Sequence, residues 1–125
     1  PNVREMAKCC FSGQERIHCI EPLDVLDFHN IMARAYLIMT DSGGIQEEAP
    51  SLGKPVLVMR DTTERPEGVK AGTLKLVGTG EQPIYEAVVR LLNDPETYHA
   101  MERAVNPYGD GHASDYIAAI LERKL

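Results

Sequence analysis

Tyr36-Leu37-Ile38-Met39-Thr40-Asp41-Ser42-Gly43-Gly44-Ile45-Gln46-Glu47-Glu48-Ala49 is the stretch whose reading decides the fold. Its apolar first part, Tyr36 to Thr40, reads as a strand, Asp41 to Gly44 as a glycine turn, and the residues after it as the start of a helix. Such a junction leaves unpaired backbone N–H groups aimed at one spot, with the positive end of a helix dipole behind them. An anion, most often a phosphate, is the natural occupant. Gly43 and Gly44 carry no side chain to hold a phosphate away. Ser42 adds a hydroxyl that either caps the helix or donates to the same anion. Ser-Gly-Gly ahead of a helix also serves as a plain cap and tight turn, and the tetrapeptide by itself does not separate the two readings.

Glu48 favours the ligand reading. It lies four residues after Gly44, one turn into the helix and on the same face. A carboxylate one turn below a phosphate site is placed to accept hydrogen bonds from both hydroxyls of a ribose, as the acidic residue of a dinucleotide fold does. Glu47 points about 100° away and is expected to be solvated or paired. Phosphate plus ribose points to a nucleotide.

Outward from this stretch, the chain reads as alternating strands and helices. Strands are expected at 16–20, 36–40, 54–59 and 73–77, and helices at 3–11 (capped by Asn2), 23–35, 44–52, 84–93, 95–104 and 113–125. Pro50 should kink the third helix or end its regular bonding. Residues 61–72 read as loop with a helical turn after Pro66, and 106–111 as a tight glycine-rich loop. This is the pattern of a parallel α/β sheet covered by helices on both faces, a Rossmann-like unit. Ligands of such sheets bind beyond the carboxyl ends of the strands. The Ser42 turn, Ile20-Glu21-Pro22 and Arg60–Arg65 are all expected on that rim. The chain opens at Pro1 on a helix with no strand before it, so the reading is of one domain, residues 1–125, forming the carboxyl-terminal part of a longer polypeptide.

The bulk numbers fit a globular unit. A chain of 125 residues buries roughly two thirds of its unfolded surface. A net charge of −6, no basic run and 6% aromatic residues argue against a nucleic-acid surface. An anion must then be held by local amides and a few arginines. Cys9, Cys10 and Cys19 follow no zinc or disulfide spacing and fit reduced thiols in a cytoplasmic setting. No stretch resembles a signal peptide or a membrane span.

Other residues leave alternatives open. Phe28 suits either a base-stacking position at the rim or ordinary core packing, and helical spacing favours packing. His29 reads as polar rim or solvent. Arg65, in the polar loop Asp61-Thr62-Thr63-Glu64-Arg65-Pro66-Glu67-Gly68, suits a diphosphate clamp or a loop whose charges pair with one another. Asn106–Gly111 is read as structural. His18, His99 and His112 have no catalytic partner in the sequence.

Taken together, Ile20-Glu21-Pro22-Leu23, Asp27-Phe28, the run from Thr40 through Met59, Arg60–Gly68, Ala71-Gly72-Thr73, Leu76-Val77-Gly78-Thr79 and Asn106–Gly111 resemble the non-hydrolysing bacterial UDP-N-acetylglucosamine 2-epimerases. The resemblance covers nearly the whole chain. It implies the carboxyl-terminal half of a GT-B arrangement, two Rossmann-like domains facing across a cleft, with UDP held by this half. It further implies that Phe28 flanks the uracil, that Ser42, Gly43 and Gly44 hold the diphosphate, that Glu48 holds the ribose hydroxyls and that Arg65 lies near the diphosphate or sugar. The implied reaction interconverts UDP-N-acetylglucosamine and UDP-N-acetylmannosamine by elimination and re-addition of UDP, for cell-surface polysaccharide synthesis. The catalytic carboxylates and histidine are expected in the amino-terminal part, so none lies in this chain and the chain alone should be inactive. The resemblance implies no nicotinamide or metal cofactor, no nucleic-acid or membrane partner, and a homodimeric full-length enzyme. Two other readings stand beside it: the nucleotide-sugar domain of a GT-B glycosyltransferase, against which the Thr62–Glu67 loop argues, and a freestanding nucleotide-binding module.

Overall fold

The computed structural model describes residues 2–124, without the side chain of Asn2, so the expected cap at Asn2 and the last residue of the final helix lie outside the described residues. In chain order the elements are α1 (Asn2–Phe11), α2 (Val25–Arg34), β1 (Ile38–Thr40), α3 (Gly43–Glu48) continued by a 3₁₀ turn (Ala49–Leu52), β2 (Val56–Val58), α4 (Pro66–Ala71), β3 (Leu74–Leu76), α5 (Glu81–Asn93), α6 (Pro95–Glu102) and α7 (Ala113–Glu122). The three strands form a parallel sheet in the order β1-β2-β3. Ile38 faces Val56 and Thr40 faces Val58, while Val56 faces Leu74 and Val58 faces Leu76.

Side-chain alternation on β2 divides the interior in two. Val56 and Val58 point to one face, where they meet Met32 of α2, Ala49 of the 3₁₀ turn and Leu74, with Phe28, Ile38, Ile45, Leu52 and Leu76 packed around them. Leu57 points to the other face and meets Val77, Ala87 and Leu91 of α5, and Tyr98 of α6. The strand is buried throughout. An apolar Val-Leu-Val run covered on both faces is what a central parallel strand requires.

Local chemistry sets the boundaries. Pro50 carries no N–H to continue the helical ladder, so regular α-helix stops at Glu48 and the chain tightens into the 3₁₀ turn. Gly53 ends that turn in the left-handed region at φ 64°, where glycine meets no penalty. Asp94 caps α6: one carboxylate oxygen accepts from the Glu96 and Thr97 amides, both at 3.1 Å, and the other from the Thr97 hydroxyl at 2.6 Å. Pro95 then occupies the first helical position, where its missing donor is harmless.

One expected strand is absent. Arg16–Ile20 pairs with no strand, and its side chains are exposed, Ile20 at 63%. Ordering an extended segment costs backbone entropy, and here no burial offsets that cost. The sheet described therefore has three strands and not four, and Ile20-Glu21-Pro22 does not follow a strand end.

Leu57→Ala removes the anchor of the second cluster, which is fully buried. It should lower unfolding free energy by about 2–5 kcal/mol, read as a shift in urea midpoint. Asp94 yields a second expectation. Its carboxyl is held below the ordinary value of 3.8, first by the Thr97 hydroxyl and next by the Thr97 amide. A depressed folded-state pKa contributes stability above the ordinary value, which is lost as pH falls through the folded one. The melting-temperature gap between the protein and Asp94→Ala should therefore be widest near neutrality and shrink as the pH drops below 3.8.

Candidate nucleotide site

The carboxyl end of β1 delivers the turn. Thr40 is buried, and its Oγ1 accepts the Ser42 N–H at 3.0 Å, which fixes how the chain leaves the strand. Ser42 has extended backbone angles (φ −80°, ψ 132°) at the cap position of α3, yet its hydroxyl makes no capping bond. The hydroxyl is thus free of the structural duty that a plain cap would give it. The helix begins at Gly43, so the first amides of α3 have no partner within the helix.

Glu48 lies where helix geometry demands. Its Oε1 is 3.7 Å from the point where a Cβ on Gly44 would stand, so turn and carboxylate share one face. Its Oε2 meets His29 Nε2 at 2.9 Å, tying α2 to α3 across the surface. Phe28, next to His29, is half-buried against the first core cluster, with its ring centroid 6.5 Å from that of His29. Phe28 thus packs against the core while staying partly exposed.

The carboxyl end of β2 delivers the second loop. Arg65 pairs with Glu47, the residue expected to be solvated or paired, and Arg60 pairs with Glu64 at 2.8 Å. Both arginines of this loop are thus matched, Arg60 internally and Arg65 with α3. Glu64 lies against the turn: its Oε1 is 2.8 Å from the Cβ position of Gly43, so the carboxylate occupies the space a side chain there would need. Its carboxyl is held below the ordinary range, first by its own backbone amide and, after an opposing contribution from burial, by the Arg60 charge. Ser42, Gly43, Gly44, Glu48 and Arg65 are brought together around α3, whereas Glu21 instead pairs with Arg4.

Sequence reasoning passed over several residues that build this surface. Gln46 bridges the turn and the Arg65 loop: it donates to the Ser42 carbonyl at 3.2 Å and accepts from the Thr63 hydroxyl at 2.5 Å. Tyr108, from the 106–111 loop, accepts the Gly68 N–H at 3.1 Å and donates to the Arg65 carbonyl at 3.5 Å. The Gln46–Ser42 bond is local, four positions apart, but Gln46 with Thr63 and Tyr108 with Gly68 and Arg65 lie 17, 40 and 43 positions apart, beyond the reach of local pattern. Burial raises the Tyr108 phenol above its ordinary value and keeps it a neutral donor. Among the described residues no group of three or more His, Cys, Asp or Glu is arranged to hold a metal ion, and no helix is long and apolar enough to cross a membrane.

The parallel sheet, helices on both faces and a glycine turn at the end of β1 define a Rossmann-like α/β unit. The sequence profile described as UDP-N-acetylglucosamine 2-epimerase matches residues 1–122, and the chain belongs to that family. It is 64% identical over 114 residues to the UDP-N-acetylglucosamine 2-epimerase of Bacillus subtilis, covering 91% of this chain and 30% of that protein. With the Escherichia coli K12 enzyme of the same name, identity is 58% over 122 residues, 98% of this chain and 32% of that one. The crystal structure of the Neisseria meningitidis UDP-GlcNAc 2-epimerase bound to UDP-GlcNAc superposes with a TM-score of 0.91 at 52% identity, covering 98% of this chain and 34% of that chain. This chain therefore spans about a third of the length of the relatives it matches, and its fold is that of part of a GT-B-like protein.

Gly68→Ala tests how tightly the Arg65 loop is seated. A Cβ there would stand 2.5 Å from Leu74 Cδ1 and 2.5 Å from Tyr108 Oη. Such overpacking should cost about 1–3 kcal/mol in a urea titration. Unchanged stability would mean that the Tyr108 tether is slack.

Proposed function

We propose that residues 1–125 are the UDP-binding, carboxyl-terminal Rossmann-like part of a two-domain UDP-N-acetylglucosamine 2-epimerase. The observation that carries this reading is the union of the Ser42-Gly43-Gly44 turn, with its uncommitted hydroxyl, and Glu48 one turn below it. In this reading Ser42, Gly43 and Gly44 receive the diphosphate, Glu48 accepts from the ribose hydroxyls, Phe28 flanks the uracil, and Arg65 turns from Glu47 toward the diphosphate or sugar. Family membership, and the relative solved with UDP-GlcNAc, support it over a glycosyltransferase reading.

The reaction proposed for the whole enzyme begins with removal of the proton on the sugar's second carbon. The anomeric carbon–oxygen bond breaks and its electrons leave with UDP, giving an unsaturated sugar. Reprotonation from the opposite face and return of UDP give the epimer. A weakly acidic C–H bond needs a positioned base. The departing diphosphate needs preorganised donors where its charge develops. Turn amides, the Ser42 hydroxyl and Arg65 answer the second need. The proton-transfer groups belong, in this proposal, to the amino-terminal part of the enzyme. The whole enzyme is further proposed to be a cytoplasmic homodimer serving cell-surface polysaccharide synthesis. The free, exposed thiols of Cys9, Cys10 and Cys19 suit a reducing compartment.

Calorimetric titration of UDP into the chain tests the reading. Saturable binding is expected, weakened by about 1–3 kcal/mol in Glu48→Ala, the scale for leaving polar partners unmatched. No binding by the folded chain, or undiminished binding by folded Glu48→Ala, would overturn it. The chain alone, given UDP-N-acetylglucosamine, should form no UDP-N-acetylmannosamine. Turnover would refute the assignment of proton transfer to another part of the enzyme.

A further inference from the structure

Gln46 has no accessible surface, yet it is polar and stands on the helix that starts at the glycine turn. Both ends of its amide are committed. Nε2 donates to the Ser42 carbonyl at 3.2 Å, and Oε1 accepts from Thr63 Oγ1 at 2.5 Å. The same Thr63 oxygen accepts the Arg65 N–H at 3.0 Å. Only the NH₂ end can serve a carbonyl, so the amide has one permitted orientation. Its oxygen must then meet the Thr63 hydroxyl as donor, which turns a lone pair of that hydroxyl toward the Arg65 amide. Reversing the Gln46 amide breaks both of its bonds, at a side chain with no accessible surface where an unmatched polar group is costly.

The relay joins two groups that lie 23 positions apart by sequence number, 65 less 42, and on loops after different strands. It runs from the backbone of the phosphate turn, through one buried amide and one hydroxyl, to the backbone of the arginine. Nothing in the packing alone requires this. A polar bridge instead sets separation and rotation together, because hydrogen bonds are directional and dispersion contacts are not.

We propose that Gln46 and Thr63 are positioning residues which set Arg65 relative to the Ser42-Gly43-Gly44 turn, so that a nucleoside diphosphate meets the amides and the guanidinium at a fixed spacing. The inference rests on the nucleotide reading given above and deepens it. Neither residue needs to touch the ligand.

Gln46→Leu would strip two hydrogen bonds from a fully buried side chain and so change folding as well as binding, so the half-buried loop residue Thr63 carries the test. UDP affinity is measured by calorimetry on the 125-residue chain for Thr63→Val, Thr63→Ser, Arg65→Ala and the Thr63→Val/Arg65→Ala double variant, each checked for cooperative melting. Thr63→Val should weaken UDP about tenfold, whereas Thr63→Ser, which keeps the hydroxyl, should stay within about twofold of the parent. The double variant should bind no more than about twofold worse than Arg65→Ala alone, because the relay acts only through Arg65. A merely structural Thr63 would lower the melting temperature and leave this coupling at zero. Folded Thr63→Val with parental affinity, or losses that multiply fully in the double variant, would overturn the proposal. If the parent chain itself shows no saturable UDP binding, the nucleotide reading falls and this inference falls with it, an outcome distinct from the first two.

Discussion

Parallel pairing on both sides of β2 is the constraint from which the rest follows. Val56, Leu57 and Val58 are fully buried and hydrogen-bonded to β1 and β3. Parallel strands place all their carboxyl ends on one edge, so the loops after β1 and β2 must emerge side by side. The Ser42 turn and the Arg60–Arg65 loop are neighbours for this reason. The Met59 amide reaches back to the Thr40 carbonyl at 2.9 Å, which carries the register of the ladder into the first residue of the loop.

Much of this was legible because it is local. Gly43-Gly44 behind an apolar run announces the strand, turn and helix, and Pro50 and Gly53 mark where the helix tightens and ends. Asp94-Pro95 announces α6 by cap chemistry alone. Arg16–Ile20 misled because β propensity records only that a segment fits a pleated, half-buried surface. Nothing in the described structure provides that surface to Ile17 and Ile20. Tertiary pairs were not legible. His29 with Glu48, Arg65 with Glu47 and Thr63 with Gln46 are each 17 to 19 positions apart, and the residue types alone name no partner. Gln46 was hidden for a further reason: within Ile45-Gln46-Glu47-Glu48 it reads as one more polar surface residue, whereas in the fold that position is fully buried.

The site's own charges bear on how an anion enters an acidic molecule. With a net charge of −6 the overall field repels a diphosphate, and the local cations are already engaged. Arg65 holds Glu47, Arg60 holds Glu64, and Glu64 lies against Gly43. These pairs are at least a third exposed, and exposed pairs contribute only about 0–1 kcal/mol each. In the proposed binding mode, exchanging one of them for a phosphate contact therefore costs little, while the new contact would pair a guanidinium with an anionic ligand. Until then Glu64 fills the space above Gly43 with a negative group, which is the charge that the exposed amides of a helix start favour. Displacing that carboxylate replaces one anion by another at the same spot, so the turn itself is nearly indifferent to the exchange. In the reading proposed above, selectivity comes from what surrounds the turn: the Glu48 carboxylate, suited to ribose hydroxyls, and the placement of Arg65, which we assign to the Gln46–Thr63 bridge.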